Sequence, residues 1–255
     1  MKKQEICKLI RKQEIVDGIF DFTIESADIA AAAQCGQFLH IACGGGTFLR
    51  RPISICDASN GEVRFIFEVK GEGTKLLAQK EVGDSIDVVG PLGHGFEIKS
   101  NIKKPIVIGG GIGVFPLYKL TKQLTNATVF LGFRNKSRVV MEDEFDAVSS
   151  MTIVGTDDGS YGYDGYIASA MDSYLNFNEC DMIYSCGPMP MLKAVKKIAE
   201  QRGIPCQISL EQRMGCGIGA CLACSCETKK DGTERYAKVC ANGPVFYSEE
   251  VTLND

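Results

Sequence analysis

The sequence predicts a multi-domain α+β protein. It has an N-terminal antiparallel β-barrel over residues 1–100, an α/β domain with a parallel sheet over 101–205, and a small C-terminal domain over 206–255. Three observations predict it. Short strand-like runs, closely punctuated by Gly, Asn and Asp, fill the first hundred residues, the rhythm of an antiparallel barrel. From Pro105 apolar runs are followed by helical patterns, which is how a parallel α/β sheet reads. Beyond about Pro205 the chain turns Cys- and Gly-rich and is too short to sustain a large core alone, so something must staple it.

The barrel strands are the runs DGIFDFTIES, GQFLHIAC, RRPISICD, EVRFIFEV and DSIDVVG. In RRPIS, Arg51 and Ser54 share one strand. A guanidinium clamps a pyrophosphate bidentately and a hydroxyl donates to flavin N5, although a surface Arg beside an Asp is the plainer reading. IFEVKGEGTKLLAQ ends a strand at Ile66–Glu68, turns at GEG and offers Thr74 as the cap of a helix whose N-terminus suits an anion. An ordinary strand–turn–helix connection reads the same way. GPLGHGF resembles a tight turn closing the barrel, and its His94 receives no role.

In the α/β part, PIVIGGGIGVFPLYKL sets Gly109, Gly110, Gly111 and Gly113 between a strand and a helix with Leu117, Leu120 and Leu124 on one face. Glycines let backbone approach a pyrophosphate, which the helix dipole favours. The spacing is not G-x-G-x-x-G and no well-placed acid follows at about twenty residues, so a packing run is the alternative. In DMIYSCGPMPML, Cys186, Gly187 and Pro188 end a strand at the carboxyl edge, where α/β proteins place ligands. Cys186 sits against a nicotinamide or is a small buried thiol. GTDDGSYG, after another strand, is a nucleotide contact or a solvated acidic turn.

Four of the twelve cysteines fall within the stretch EQRMGCGIGACLACSC. Cys216, Cys221 and Cys224 form C-x4-C-x2-C, with Cys240 further on, the plant-type pattern for a [2Fe–2S] cluster. Each iron takes two bridging sulfides and two thiolates, so one loop and one distant strand together close the shell. Gly215, Gly217 and Gly219 let backbone wrap tightly and aim N–H groups at sulfur. Structural zinc is the competing reading, but it favours two short-spaced pairs. Cys226 is an extra thiol, expected to be a spectator. A cluster takes electrons singly whereas a nicotinamide gives a hydride, so a flavin is expected between them.

The chain is 45% hydrophobic and 24% charged with net charge −4 and no basic block, which sets nucleic acid aside as a partner. The N-terminal apolar residues are broken by charges, unlike a signal peptide, and no window offers about 18 uninterrupted apolar residues for a membrane span. A cytoplasmic protein is expected, whose cysteines serve metal or redox chemistry rather than disulfides.

Taken in order, RRPIS, GEGT, GPLGHGF, GGGIGV, DGSYG, SCGPMPML, EQRMGCGIGACLAC and AKVCANGPVF resemble the electron-transfer subunits of type B dihydroorotate dehydrogenases, themselves similar to the ferredoxin–NADP reductase superfamily. The likeness spans nearly the whole chain, and the cysteine loop is its most specific part. It implies that NADH reduces FAD here and that the [2Fe–2S] cluster relays electrons. A separate FMN-bearing catalytic subunit then interconverts dihydroorotate and orotate in pyrimidine (UMP) biosynthesis, within a heterotetramer of two copies of each. By this likeness Arg51, Pro52, Ile53, Ser54, Ile66, Phe67, Glu68, Gly73 and Thr74 contact FAD, and Cys216, Cys221, Cys224 and Cys240 hold the cluster. NADH follows by kinship, and Arg134 or Arg138 would suit the 2′-phosphate of NADPH. The competing functions are a flavin reductase serving ferredoxin or a sulfur substrate, and a non-enzymatic metal-binding or redox-sensing module.

Overall fold

The structure, a computed structural model, describes residues 3–230 and 233–253. The chain forms two compact units. One comprises the chain up to Gly95 together with residues 211–226 and 237–244; the other comprises residues 96–210 and 227–236 and the chain from Val245. The C-terminal segment contributes pieces to both units.

The first unit is a closed antiparallel barrel of β1 (Lys3–Val16), β2 (Ile19–Glu25), β3 (Phe38–Ile41), β4 (Arg51–Ser59), β5 (Glu62–Glu68) and β6 (Ser85–Leu92), in the order β1-β2-β5-β4-β3-β6. Strands β2 to β6 are the five runs read from the sequence. Strand β1 was not among them, because only Cys7 and Leu9 of its 14 residues are buried and the apolar alternation that marks a half-buried strand is missing. Its backbone is held all the same, pairing with both β2 and β6.

Alternation in β5 turns Val63, Phe65 and Phe67 inward, and the β2–β5 register sets Phe22 opposite Phe65 and Phe20 opposite Phe67. The Phe22 and Phe67 rings meet edge to face at 5.1 Å. Each such side chain contributes about 1.5–3 kcal/mol by leaving water. The core also holds Leu9, Ile24, Leu39 and Ile41. Asp21 is buried on β2 but not bare: Arg64 donates to it through Nε at 3.0 Å and lies 2.9 Å away through Nη2. Helix α1 (Ala27–Ala32) starts where Ser26 Oγ accepts from the Ile29 N–H, an N-cap. Helix α2 (Glu72–Ala78) follows β5.

The second unit is built on a sheet of β7 (Pro105–Gly110), β8 (Thr128–Phe133), β9 (Met151–Thr156), β10 (Tyr163–Asp164), β11 (Met182–Cys186) and β12 (Cys206–Ser209). All are parallel, in the order β10-β9-β8-β7-β11-β12. Every residue of β7, β8 and β12 is buried, so β7 and β8 read as near-continuous apolar runs, whereas the buried Gln207 and Ser209 hide β12. The connections carry α3 (Phe115–Thr121), α4 (Glu142–Asp146), α5 (Ile167–Tyr174) and α6 (Met189–Arg202). Leu117 and Leu120 are buried on α3 as expected, but the helix ends at Thr121 and leaves Leu124 outside it. The Thr121 hydroxyl donates back to the Leu117 carbonyl at 2.8 Å, a bond that competes with the helix ladder.

Further along, β13 (Ser225–Lys230) and β14 (Thr233–Lys238) pair with each other, and β15 (Val245–Tyr247) joins the large sheet antiparallel to β12. Glu97 ties down this edge. Its carbonyl accepts from Tyr184 Oη at 3.2 Å and Gln207 Nε2 at 3.0 Å, and its carboxylate accepts from Tyr247 Oη at 2.7 Å. Among the described residues no helix is long and apolar enough to cross a membrane.

Candidate functional site

The strand order of the second unit reverses between β7 and β11, since the chain moves outward from β7 through β8, β9 and β10 and then returns to β7's other side. Ligands of open α/β sheets lie at such a switch point, beyond the carboxyl ends of the strands. Gly109 and Cys186 are register partners there. Gly111, at φ +55°, starts a short 3-10 turn through Val114. Gly113 is pressed onto the neighbouring strand end, where a Cβ would fall 2.5 Å from the Cys186 oxygen and 2.6 Å from the Gly187 Cα. A Cβ on Gly110 would meet Met191 Sδ at 2.8 Å and Pro188 Cδ at 2.9 Å. The two sequence motifs therefore converge on one edge. Met191 was not singled out from the sequence; its place on α6 near Gly110 appears only once the strands are ordered.

On the barrel, Arg51 opens β4, and its guanidinium lies against the first turn of α2, where a Cβ on Gly73 would come within 2.7 Å of Nε. A side chain there would push the guanidinium aside. Thr74 is not the N-cap expected from the sequence. Gly71 holds that position, and Thr74, three residues on, reaches back so that its Oγ1 accepts from the Lys70 N–H at 2.9 Å and the Gly71 N–H at 3.1 Å. Ile53, Ile66 and Phe67 are buried, whereas Pro52, Ser54 and Glu68 are half-buried. The adjacent Arg50 does structural work. It donates to the His40 and Asp87 carbonyls and pairs with the Asp87 carboxylate at 2.7 Å, bridging β3 and β6. Arg50 holds the Asp87 carboxyl below the usual range.

The four motif cysteines come together in the first unit as two pairs. The Cys221 N–H donates to Cys216 Sγ at 3.3 Å, and Cys224 and Cys240 have their sulfurs 3.2 Å apart. The Cys240 N–H points at Cys224 Sγ, at 3.5 Å. Gly217 and Gly219 take left-handed φ of +69° and +89°, which carries the loop around the Cys216 sulfur. The Cys221 N–H chiefly, with help from the Ile218 and Ala220 backbone, draws the Cys216 thiol down to about 6, into thiolate at neutral pH. Burial, with Cys224 beside it, pushes Cys240 up to about 12, so iron must displace that proton. Lys238 Nζ donates to the Gly219 carbonyl at 2.7 Å and binds the distant segment to the loop.

Among the described residues no three His, Cys, Asp or Glu side chains gather as they would around a single ion. Two pairs of thiols match the two thiolates that each iron of a [2Fe–2S] centre takes. Cys226 lies on β13, two residues beyond Cys224, and burial, then the charge of Cys224, raises its thiol.

Residues 211–252 match the iron–sulfur cluster binding domain of dihydroorotate dehydrogenase B, and residues 107–197 match the oxidoreductase NAD-binding domain. The dihydroorotate dehydrogenase B (NAD(+)) electron transfer subunit of Bacillus pumilus is 42% identical over 262 residues, spanning 99% of both chains. This chain belongs to that family. The electron transfer subunit of Bacillus caldolyticus is 43% identical over 249 residues, 94% of this chain and 95% of that one. Among solved structures, a chain of the NADH-dependent reduced ferredoxin–NADP oxidoreductase superposes with a TM-score of 0.88 at 34% identity, covering 98% of this chain and 90% of that one. Membership makes the chain a subunit of an oxidoreductase that works beside a catalytic partner subunit.

Proposed function

We propose that this chain carries electrons between NAD(H) and the FMN of a separate dihydroorotate dehydrogenase catalytic subunit, in a cytoplasmic heterotetramer of two copies of each. The observation that carries the reading is the pairing of Cys216 with Cys221 and of Cys224 with Cys240 on a glycine-turned loop. The chain holding that loop matches electron transfer subunits from end to end. When bound, FAD supplies the exchange between hydride and single electrons, and the [2Fe–2S] centre supplies one-electron relay.

The chain's own residues bind and orient. Gly109, Gly110, Gly111 and Gly113, with Cys186, Gly187 and Pro188, form the edge against which a dinucleotide lies. No side chain is needed as acid or base, because hydride transfer requires only that the two rings be held stacked and dry. On the barrel, Arg51, Pro52, Ile53 and Ser54, then Ile66, Phe67 and Glu68, then Gly73 and Thr74, hold the flavin nucleotide. Arg51 supplies the positive charge, and Gly73 the room for it. Cys216, Cys221, Cys224 and Cys240 ligate the cluster.

Arg51→Ala removes a charge-assisted contact worth about 1.5–3 kcal/mol, so FAD dissociation should rise by about 10- to 150-fold. Flavin retained through desalting measures this, and wild-type occupancy would count against Arg51.

The function itself is tested by co-expression with the FMN-bearing partner. The two chains should co-purify with FAD, FMN, iron and sulfide, and dihydroorotate should then reduce NAD+. The likeness to the ferredoxin–NADP oxidoreductase chain defines the other result: a protein that ignores the catalytic subunit and passes electrons from NADH to ferredoxin overturns the proposal.

A further inference from the structure

His40 sits in the middle of β3 and is 1% exposed. Its register partner across the β3–β4 pair is Pro52, inside the RRPIS run, and across the β3–β6 pair it is Val89. Both ring nitrogens are buried without a hydrogen bond of ordinary geometry, with only off-geometry approaches to the Arg50 and Cys216 backbone. A buried polar group left in that state is rare enough to need a specific reason, one of which is a bound group that completes it. The ring is pressed against the cysteine loop: a Cβ on Gly217 would lie 2.5 Å from Nδ1 and 3.0 Å from Cε1. Gly217 is the residue next to Cys216.

We propose that His40 is a positioning residue for the iron–sulfur centre, with a ring N–H donating to the sulfurs on its Cys216 side and seating the cysteine loop beside the strand that carries Arg51 and Ser54. The inference rests on the cluster assignment above. A neutral imidazole offers one donor and one acceptor. Hydrogen bonds to sulfur favour the more negative, reduced centre and raise its potential. An apolar ring of similar size would fill the space and do neither.

The test compares His40→Phe, which keeps the volume but not the N–H, with His40→Gln, which keeps a donor. Both are purified as holoprotein, assayed for FAD, iron and sulfide, and titrated redox-wise with EPR of the reduced centre. The His40→Phe midpoint should move to more negative potential, and the fraction of centre reduced at a fixed NADH to NAD+ ratio should fall several-fold. His40→Gln should recover most of that loss. A His40→Phe centre with the wild-type midpoint and line shape overturns the proposal.

Should His40→Phe not accumulate, wild-type protein labelled with [15N]histidine gives a second answer. The sequence holds two histidines, so pulsed EPR of the reduced centre should show a weak 15N coupling that persists in His94→Asn. Its absence overturns the proposal equally. Wild-type protein devoid of iron and sulfide would instead refute the cluster assignment, which separates the two failures.

Discussion

Cys221→Ser leaves a protein whose FAD is still bleached by NADH but which delivers no electrons to the catalytic subunit. Cys221 contributes twice to the cysteine loop, as a proposed ligand and through the N–H that reaches Cys216 Sγ. Serine keeps the N–H and loses the thiolate, replacing a soft, readily ionised sulfur with a hydroxyl far less willing to give up its proton. Losing only the outer hydrogen bonds of a metal site costs about 10- to 100-fold in affinity or activity, and a lost ligand costs more. Iron and sulfide analysis should show the centre gone, EPR after dithionite should be silent, and stopped-flow traces should show flavin reduction at its normal rate. Reduction of the partner FMN at an undiminished rate would sink the relay order.

Gly113→Ala acts on the other unit and should have the opposite signature. The added methyl has no flexible side chain to displace; it meets the Cys186 carbonyl oxygen and the Gly187 Cα, both backbone. The β7 loop must therefore move off the edge that carries Cys186, Gly187 and Pro188. Overpacking of this kind costs about 1–3 kcal/mol, and if that falls on the nucleotide-binding arrangement the NADH affinity drops about 5- to 150-fold. Titration of flavin reduction against NADH measures it, with FAD content and the dithionite-reduced EPR signal unchanged as controls. Wild-type NADH affinity in a folded Gly113→Ala protein would remove the glycine edge from the nucleotide site.

What the sequence disclosed and what it hid follow from the range of the forces involved. Cysteine spacing is a local constraint imposed by the shape of a cluster, so the loop was readable from residue identities alone. The barrel and the parallel sheet were readable because burial on one face or on two leaves alternating or continuous apolar runs. Strand β1 was not, since its place is secured by main-chain pairing to β2 and β6 with only Cys7 and Leu9 turned inward. The structural role of Arg50 was equally hidden. Two neighbouring arginines look alike until Asp87, distant in sequence, claims one of them. His40 reads as one polar residue in an apolar strand, and its significance depends on Gly217, brought against it only by the tertiary fold.

The sharing of the tail between the two units bears on how the protein is made. Residues 211–226 and 237–244 complete one unit, and the chain from Val245, with β15 as the last strand of the large sheet, completes the other. All six barrel strands lie within residues 3–92 and can close before these segments pack, whereas the large sheet gains its β15 edge only when the chain returns to it. Cys216, Cys221 and Cys224 lie on one of those stretches and Cys240 on the other, so the four thiols gather only once both have packed into the unit. Such long-range closure slows folding and prolongs the exposure of unpaired edges, so a change that unsettles residues 237–247 damages both units at once.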